Sequence, residues 1–161
     1  AFTAFLLGSS CSLFQPNPRT VTATEWRQVL DSNRGGVVVA YVWAGWCRPC
    51  VEALPGYAEL QRSYESAGVQ FASLSLDDPR DKKAVTQAHR RLQETDTGGE
   101  HYLLASDFAE ALEALDVPRI PAIVVYSAEG ERRATLLGDQ RDNRIFPEDV
   151  KGTLDALLGG Q

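Results

Sequence analysis

The run Val37-Val38-Val39-Ala40-Tyr41-Val42-Trp43 leads, after Ala44 and Gly45, directly into Trp46-Cys47-Arg48-Pro49-Cys50. The run is β-branched and aromatic with no polar alternation, which predicts a central strand covered on both faces. Two cysteines separated by two residues, where that strand gives way to a helix, can close into a disulfide and reopen. The chemistry this predicts is redox exchange.

Only three cysteines occur in 161 residues, and two of them sit in the motif. That is too few for a disulfide-stapled scaffold, so cysteine here serves chemistry more than stability. The length and the 43% hydrophobic content predict a single domain with a real core. A formal charge of −6 argues against a nucleic-acid footprint. Arg90-Arg91 and Arg132-Arg133 are isolated basic pairs among acids and read as solvated surface. The sequence contains no internal repeat and no low-complexity tract.

The amino terminus differs from the rest. Ala1 to Leu7 is largely apolar, Gly8-Ser9-Ser10 is small, Cys11 follows, and Gln15-Pro16-Asn17-Pro18-Arg19 has linker composition. So short a run cannot span a bilayer. Residues 1–20 are expected to form an apolar segment and linker, followed by a domain over 21–161. One reading of the segment is the remainder of an export signal or a membrane-proximal tether, with Cys11 as a lipid-attachment candidate. The other is a terminal segment that docks its Phe and Leu side chains on the domain.

Beyond the linker, strand and helix signals alternate. Thr22 and Glu25 have capping-box spacing ahead of a helix whose inner face is Trp26, Val29 and Leu30, ending near Gly35-Gly36. The next helix starts at the cysteine motif and runs to about Ala67, with Pro55 inside it and Leu54, Tyr57, Ala58, Leu60 and Tyr64 on its apolar face. Val69 to Leu76 reads as a second buried strand, and Asp77-Asp78-Pro79 as a turn able to cap a helix over 80–94. A loop, a short strand at 102–105 and a brief helix from Asp107 to Leu115 follow. Ala122 to Tyr126 is a strong strand, turned at Glu129-Gly130 into another that ends at Leu137, and Pro147 to Leu158 closes the chain as a helix.

This order resembles the thioredoxin fold over residues 21 to about 158. The segment Trp43-Ala44-Gly45-Trp46-Cys47-Arg48-Pro49-Cys50 looks like the family's active-site segment, and Pro55 matches its helix-kinking proline. Phe71-Ala72-Ser73-Leu74-Ser75-Leu76-Asp77, with an insertion before Pro121 long enough for a helix and a strand, is similar to the TlpA/ResA-like branch of exported thiol-disulfide oxidoreductases. The resemblance implies an α/β fold: three α/β/α layers around a central mixed sheet, with a helix-strand insertion.

It also implies roles. Cys47, at the amino end of its helix, would be the attacking thiolate, with its pKa drawn below the free value of about 8.5 by the helix dipole. Cys50, one turn inward and more buried, would resolve the mixed disulfide. Trp46, Arg48, Pro49, Ile120 and Pro121 are the expected substrate-binding residues, with Ile120-Pro121 at the family's cis-proline position. Pro118 is the nearby competitor for that place. The expected partners are a disulfide-containing protein substrate and an upstream thiol-disulfide electron donor, outside the cytoplasm in the bacterial periplasm or on the outer face of the membrane.

The chain departs from its relatives at two acids. Tyr41 stands where thioredoxin has a buried acid, and Ala53 where TlpA/ResA-like proteins often have glutamate. Glu52 is one step, about 100°, round the helix and reads as a surface acid. Solvent, Tyr41 or a substrate group is expected to take the proton of Cys50 instead. No cofactor or metal is expected. His89 and His101 lack zinc-ligand spacing, and Val51 occupies the position where haem attachment needs histidine. Trp43 is expected in the core, Trp46 over the disulfide. Two functional classes follow: an oxidoreductase acting mainly as a reductant, and a redox-switched binding module without turnover.

Overall fold

A computed structural model of the chain describes residues 18–138 and 147–159. The apolar amino-terminal segment, with Cys11, lies outside the described residues.

Among the described residues, twelve elements follow one another. Strand β1 (Arg19–Val21) and helix α1 (Ala23–Ser32) precede β2 (Val38–Trp43). Helix α2 (Arg48–Ser63) and a single 3-10 turn at Glu65–Ala67 lead to β3 (Gln70–Ser75). Then come α3 (Lys82–Glu94), β4 (Glu100–Leu104) and α4 (Phe108–Leu115). The hairpin of β5 (Ala122–Tyr126) and β6 (Arg132–Leu137) is followed by α5 (Pro147–Gly159). The six strands form one mixed sheet in the order β1-β4-β3-β2-β5-β6, with β1 to β4 mutually parallel and the β5–β6 hairpin antiparallel beside β2.

All six residues of β2 are buried, as their unbroken apolar character demands. The chain crosses from β1 over to β2 and then reverses direction to β3, so right-handed crossovers put α1 and α2 on opposite faces of the sheet. Helices α2 and α5 pack on each other on one face, α1 and α4 on the other. The three-layer α/β/α fold with a mixed sheet is therefore present. Reversal at β2 places its carboxyl end, where the cysteine motif begins, at the crevice that such sheets use for ligands.

The local signals act as their chemistry requires. The Glu25 amide donates to Thr22 Oγ1 at 3.1 Å and the Thr22 amide donates to Glu25 Oε2 at 2.7 Å, completing the capping box. Asp107 caps α4 by accepting from the Glu110 amide at 3.0 Å. Gly99, at φ +79°, directly precedes β4 at a place where an added Cβ would lie 2.3 Å from the Phe71 carbonyl oxygen, so only glycine fits.

Three differences from the sequence reading have physical causes. Arg19 and Thr20 belong to the sheet rather than to a linker, since Arg19–Val21 pairs in parallel with Tyr102–Leu104. The domain thus begins before residue 21. The long helix stops at Ser63, and Tyr64 turns the chain into the short 3-10 segment rather than continuing to Ala67. Helix α3 starts at Lys82, capped by Asp81, which accepts from the Lys83 and Ala84 amides at 3.0 Å. Asp78 binds Arg80 ahead of the helix, and Asp77 turns inward with 1% of its surface exposed.

Candidate active site

Cys47 is the N-cap residue of α2, and Pro49 lies in the first turn, where its missing N–H costs no hydrogen bond. The two sulfurs are joined, S–S 2.08 Å, with Cα atoms 5.2 Å apart. The Cys47 sulfur also accepts from the Cys50 amide at 3.3 Å. A sulfur held at a helix amino terminus against a backbone N–H is a place where negative charge is stabilised, which is what an attacking thiolate needs. Cys50 is fully buried, whereas Cys47 retains 7% exposure. Of the two, Cys47 is therefore the residue open to solvent.

The surface beside Cys47 is a depression of about 460 Å³. Trp46, Arg48, Pro49 and Ile120 line it with the cysteine, and so do Phe108, Leu112, Pro118 and Arg119. Pro121 is buried and is not among the lining residues, although the Ile120–Pro121 peptide is cis and its strand pairs Ala122 with Val42 of β2. Trp46 and Phe108 are the two exposed large hydrophobic residues among those described, 60% and 38%. They meet edge to face with centroids 5.1 Å apart, an arrangement that aromatic quadrupoles favour. Arg48 bonds Glu52 at 2.7 Å, both side chains exposed, and this partner raises the Arg48 pKa. Part of the cation beside Cys47 is thus offset by Glu52.

Behind the pair, Tyr41 is buried between the rings of Trp43 and Tyr57, and its hydroxyl donates to the Cys50 carbonyl oxygen at 2.8 Å. Burial pushes its phenol pKa far up, so Tyr41 acts at this site as a donor and not as a base. Tyr41 and Ala53, the two positions where the resemblance leads an acid to be expected, line one small apolar cavity with Tyr57, Leu60 and Val150. Trp43 is fully buried in the core.

His101 is buried, linked to Ser73 Oγ at 2.9 Å through Nδ1 and to the Thr97 carbonyl at 3.1 Å through Nε2. Burial lowers its pKa to about 4, against the raising effect of the Thr97 bond. It serves the packing between β3 and β4 rather than the cysteines. Among the described residues no group of three or more His, Cys, Asp or Glu side chains could hold a metal ion.

Sequence reasoning missed Phe108 and Leu112, which α4 brings to the motif from about sixty residues away. A large aromatic directly after the Asp107 cap was the available signal. It also missed that Asp77 reaches the motif from below, accepting from the Gly45 amide at 2.8 Å.

Comparison with known proteins agrees with this geometry. The model of the AhpC/TSA family matches residues 17–142. The chain is 23% identical over 128 residues to the thiol-disulfide oxidoreductase ResA of Geobacillus kaustophilus, covering 80% of this chain and 67% of that protein. It is 35% identical over 68 residues to thioredoxin H4-2 of Oryza sativa subsp. japonica, 40% of this chain and half the length of that one. Among solved structures, the thioredoxin domain of a Bacteroides vulgatus thiol-disulfide oxidoreductase superposes with TM-score 0.63 at 18% identity, over 80% of this chain and 84% of that one. A secreted Mycobacterium tuberculosis disulfide oxidoreductase gives TM-score 0.60 at 18% identity, over 79% and 86%. These structural likenesses establish the fold.

Proposed function

The chain belongs to the AhpC/TSA family, and on that footing we propose that it is a thiol-disulfide oxidoreductase working mainly as a reductant of protein disulfides. The observation that carries the reading is the Cys47–Cys50 disulfide at the amino end of α2, with Cys47 opening on an apolar depression and Cys50 sealed behind it.

In the dithiol form, Cys47 loses its proton and its thiolate attacks one sulfur of a substrate disulfide. The substrate S–S bond breaks, a Cys47–substrate bond forms, and one substrate thiolate leaves to take up a proton. Cys50 then loses its proton and attacks the Cys47 sulfur, closing the internal disulfide and releasing the second substrate thiolate. Two electrons pass to the substrate, and an upstream dithiol must return them. Solvent or a substrate group takes the Cys50 proton, because Tyr41 holds its own.

Trp46, Arg48, Pro49 and Ile120 are the substrate-binding set in this reading, with Phe108 extending the apolar shelf and Pro121 buried next to Ile120 rather than facing the substrate. The direction of electron flow rests on the similarity to TlpA/ResA-like proteins. An extracytoplasmic location is part of the proposal, supported by the apolar composition of residues 1–7 and by the similarity to a secreted relative. None of the helices among the described residues is long and apolar enough to cross a membrane.

The test is the reduction potential of the pair together with turnover. A value near about −270 mV, with repeated reduction of a disulfide substrate, supports the reductant, and one near about −120 mV contradicts it. Stoichiometric binding without turnover would favour a redox-switched binding module instead.

A further inference from the structure

Six polar residues are buried in the described parts of the domain: Ser73, Ser75, Asp77, Thr97, His101 and Ser127. Asp77 is the carboxylate among them, and it touches the redox segment. One of its oxygens, Oδ2, accepts from the Gly45 amide at 2.8 Å and from the Ser75 hydroxyl at 2.6 Å. The other, Oδ1, is buried without a hydrogen-bond partner among the described residues.

The surrounding backbone makes this contact rigid. Ser75 pairs in register with Trp43, and the Leu76 amide donates to the Trp43 carbonyl at 2.8 Å, so the carboxyl ends of β2 and β3 are stitched together just before the motif. Helix α3 closes the other side. A Cβ on Gly45 would lie 3.2 Å from the Ala88 Cβ and 3.4 Å from Asp77 Oδ2, so the loop backbone is packed against both. The Ala44 carbonyl in turn accepts from the Cys47 amide at 3.1 Å, which ties this loop to the attacking sulfur's own residue.

A carboxylate placed there cannot be indifferent to the cysteines. Hydrogen bonds hold the group in place, but a buried acid with one oxygen uncompensated keeps a negative field that solvent does not screen. That field opposes a second negative charge at Cys47. Only the reduced pair can carry a thiolate, so opposing the thiolate raises the energy of the dithiol form relative to the disulfide.

We infer that Asp77 is a positioning residue of the redox pair: its carboxylate fixes the Gly45 backbone that leads into Cys47, and its charge biases the pair toward the disulfide. It makes this chain a stronger donor of electrons than the same motif would be without it. The inference rests on the proposed oxidoreductase reading and supplies a cause for its direction.

The test equilibrates the full-length protein with mixtures of reduced and oxidised glutathione, in which two glutathione thiols become one glutathione disulfide as the protein disulfide becomes a dithiol. The dithiol fraction is read by mass after alkylation. Asp77→Asn keeps an oxygen for Gly45 and Ser75 but removes the charge, and should shift the equilibrium toward the dithiol by about three- to tenfold, tenfold being about 30 mV for a two-electron couple. Asp78→Asn, which removes the same charge from an exposed neighbour, should stay within about twofold of wild type. Ser75→Ala keeps the charge and removes a hydrogen that compensates it, so its shift should be toward the disulfide. An Asp77→Asn constant within about twofold of wild type would overturn the inference. So would shifts of Asp77→Asn and Ser75→Ala in the same direction, which is what simple loosening of the loop would give. If Asp77→Asn does not fold, Ser75→Ala decides alone: a shift toward the disulfide upholds the inference, and no shift or the reverse overturns it. The wild-type constant separately reports whether the pair is a reductant at all, so failure of that reading is distinguishable from failure of this one.

Discussion

Tyr41 donates its phenolic hydrogen to the carbonyl oxygen of Cys50 across 2.8 Å. The strand that delivers the motif is thereby tied to the first turn of the helix that carries the buried cysteine. Tyr41→Phe keeps the ring between Trp43 and Tyr57 and removes only the donor. The expected loss is about 1 kcal/mol in denaturant melts, with disulfide exchange retained. Unchanged stability would show that the bond contributes nothing.

Trp46 and Phe108 form one apolar shelf beside Cys47. Trp46→Ala should raise KM for a protein disulfide by about five- to tenfold, the equivalent of about 1 kcal/mol of binding, and leave kcat within about twofold. Phe108→Ala should act in the same direction. Reduction of a small diaryl disulfide should be little changed by either. A loss in kcat with KM unchanged would place these rings in the chemistry rather than in recognition.

His101 makes stability depend on acid. Its pKa is held at about 4 by burial, well below the value near 6.5 of an unfolded chain. Between those values the unfolded state binds the proton and the folded state does not, so stability is complete above about pH 6.5 and declines as the pH falls to about 4. The loss amounts to roughly 3 kcal/mol. Urea melts across this window should show the slope in the wild type and lose most of it in His101→Gln. An equal slope in both would assign the acid sensitivity elsewhere.

Much of this molecule can be read along the chain wherever a short stretch decides its own structure. The β2 run, the Thr22 capping box, the Asp107 cap and the Ala122–Tyr126 strand each carry their determinants within a few residues, and each forms as those residues require. Strand β1 does not, because three residues with one buried side chain have no period, and its stability comes from pairing with β4 far along the sequence. Asp77 looks like half of an acidic turn until β3 and the Gly45 loop meet around it. The cysteine pair, Trp46, Arg48 and Pro49 were legible because one motif contains them. Phe108 was not, because only the packing of α4 brings it to Trp46.

The proposed division of labour between the cysteines rests on burial and helix position: Cys47 sits at the cap with 7% of its surface exposed, and Cys50 is sealed. The most direct measurement is trapping: Cys50→Ser and Cys47→Ser proteins, each reduced and mixed with a disulfide substrate, followed by peptide mass analysis of the covalent products. The account predicts that Cys50→Ser accumulates a mixed disulfide on Cys47, while Cys47→Ser forms no such adduct and reduces no substrate. A Cys47→Ser protein that forms adducts through Cys50, or that turns substrate over at the wild-type rate, would contradict it.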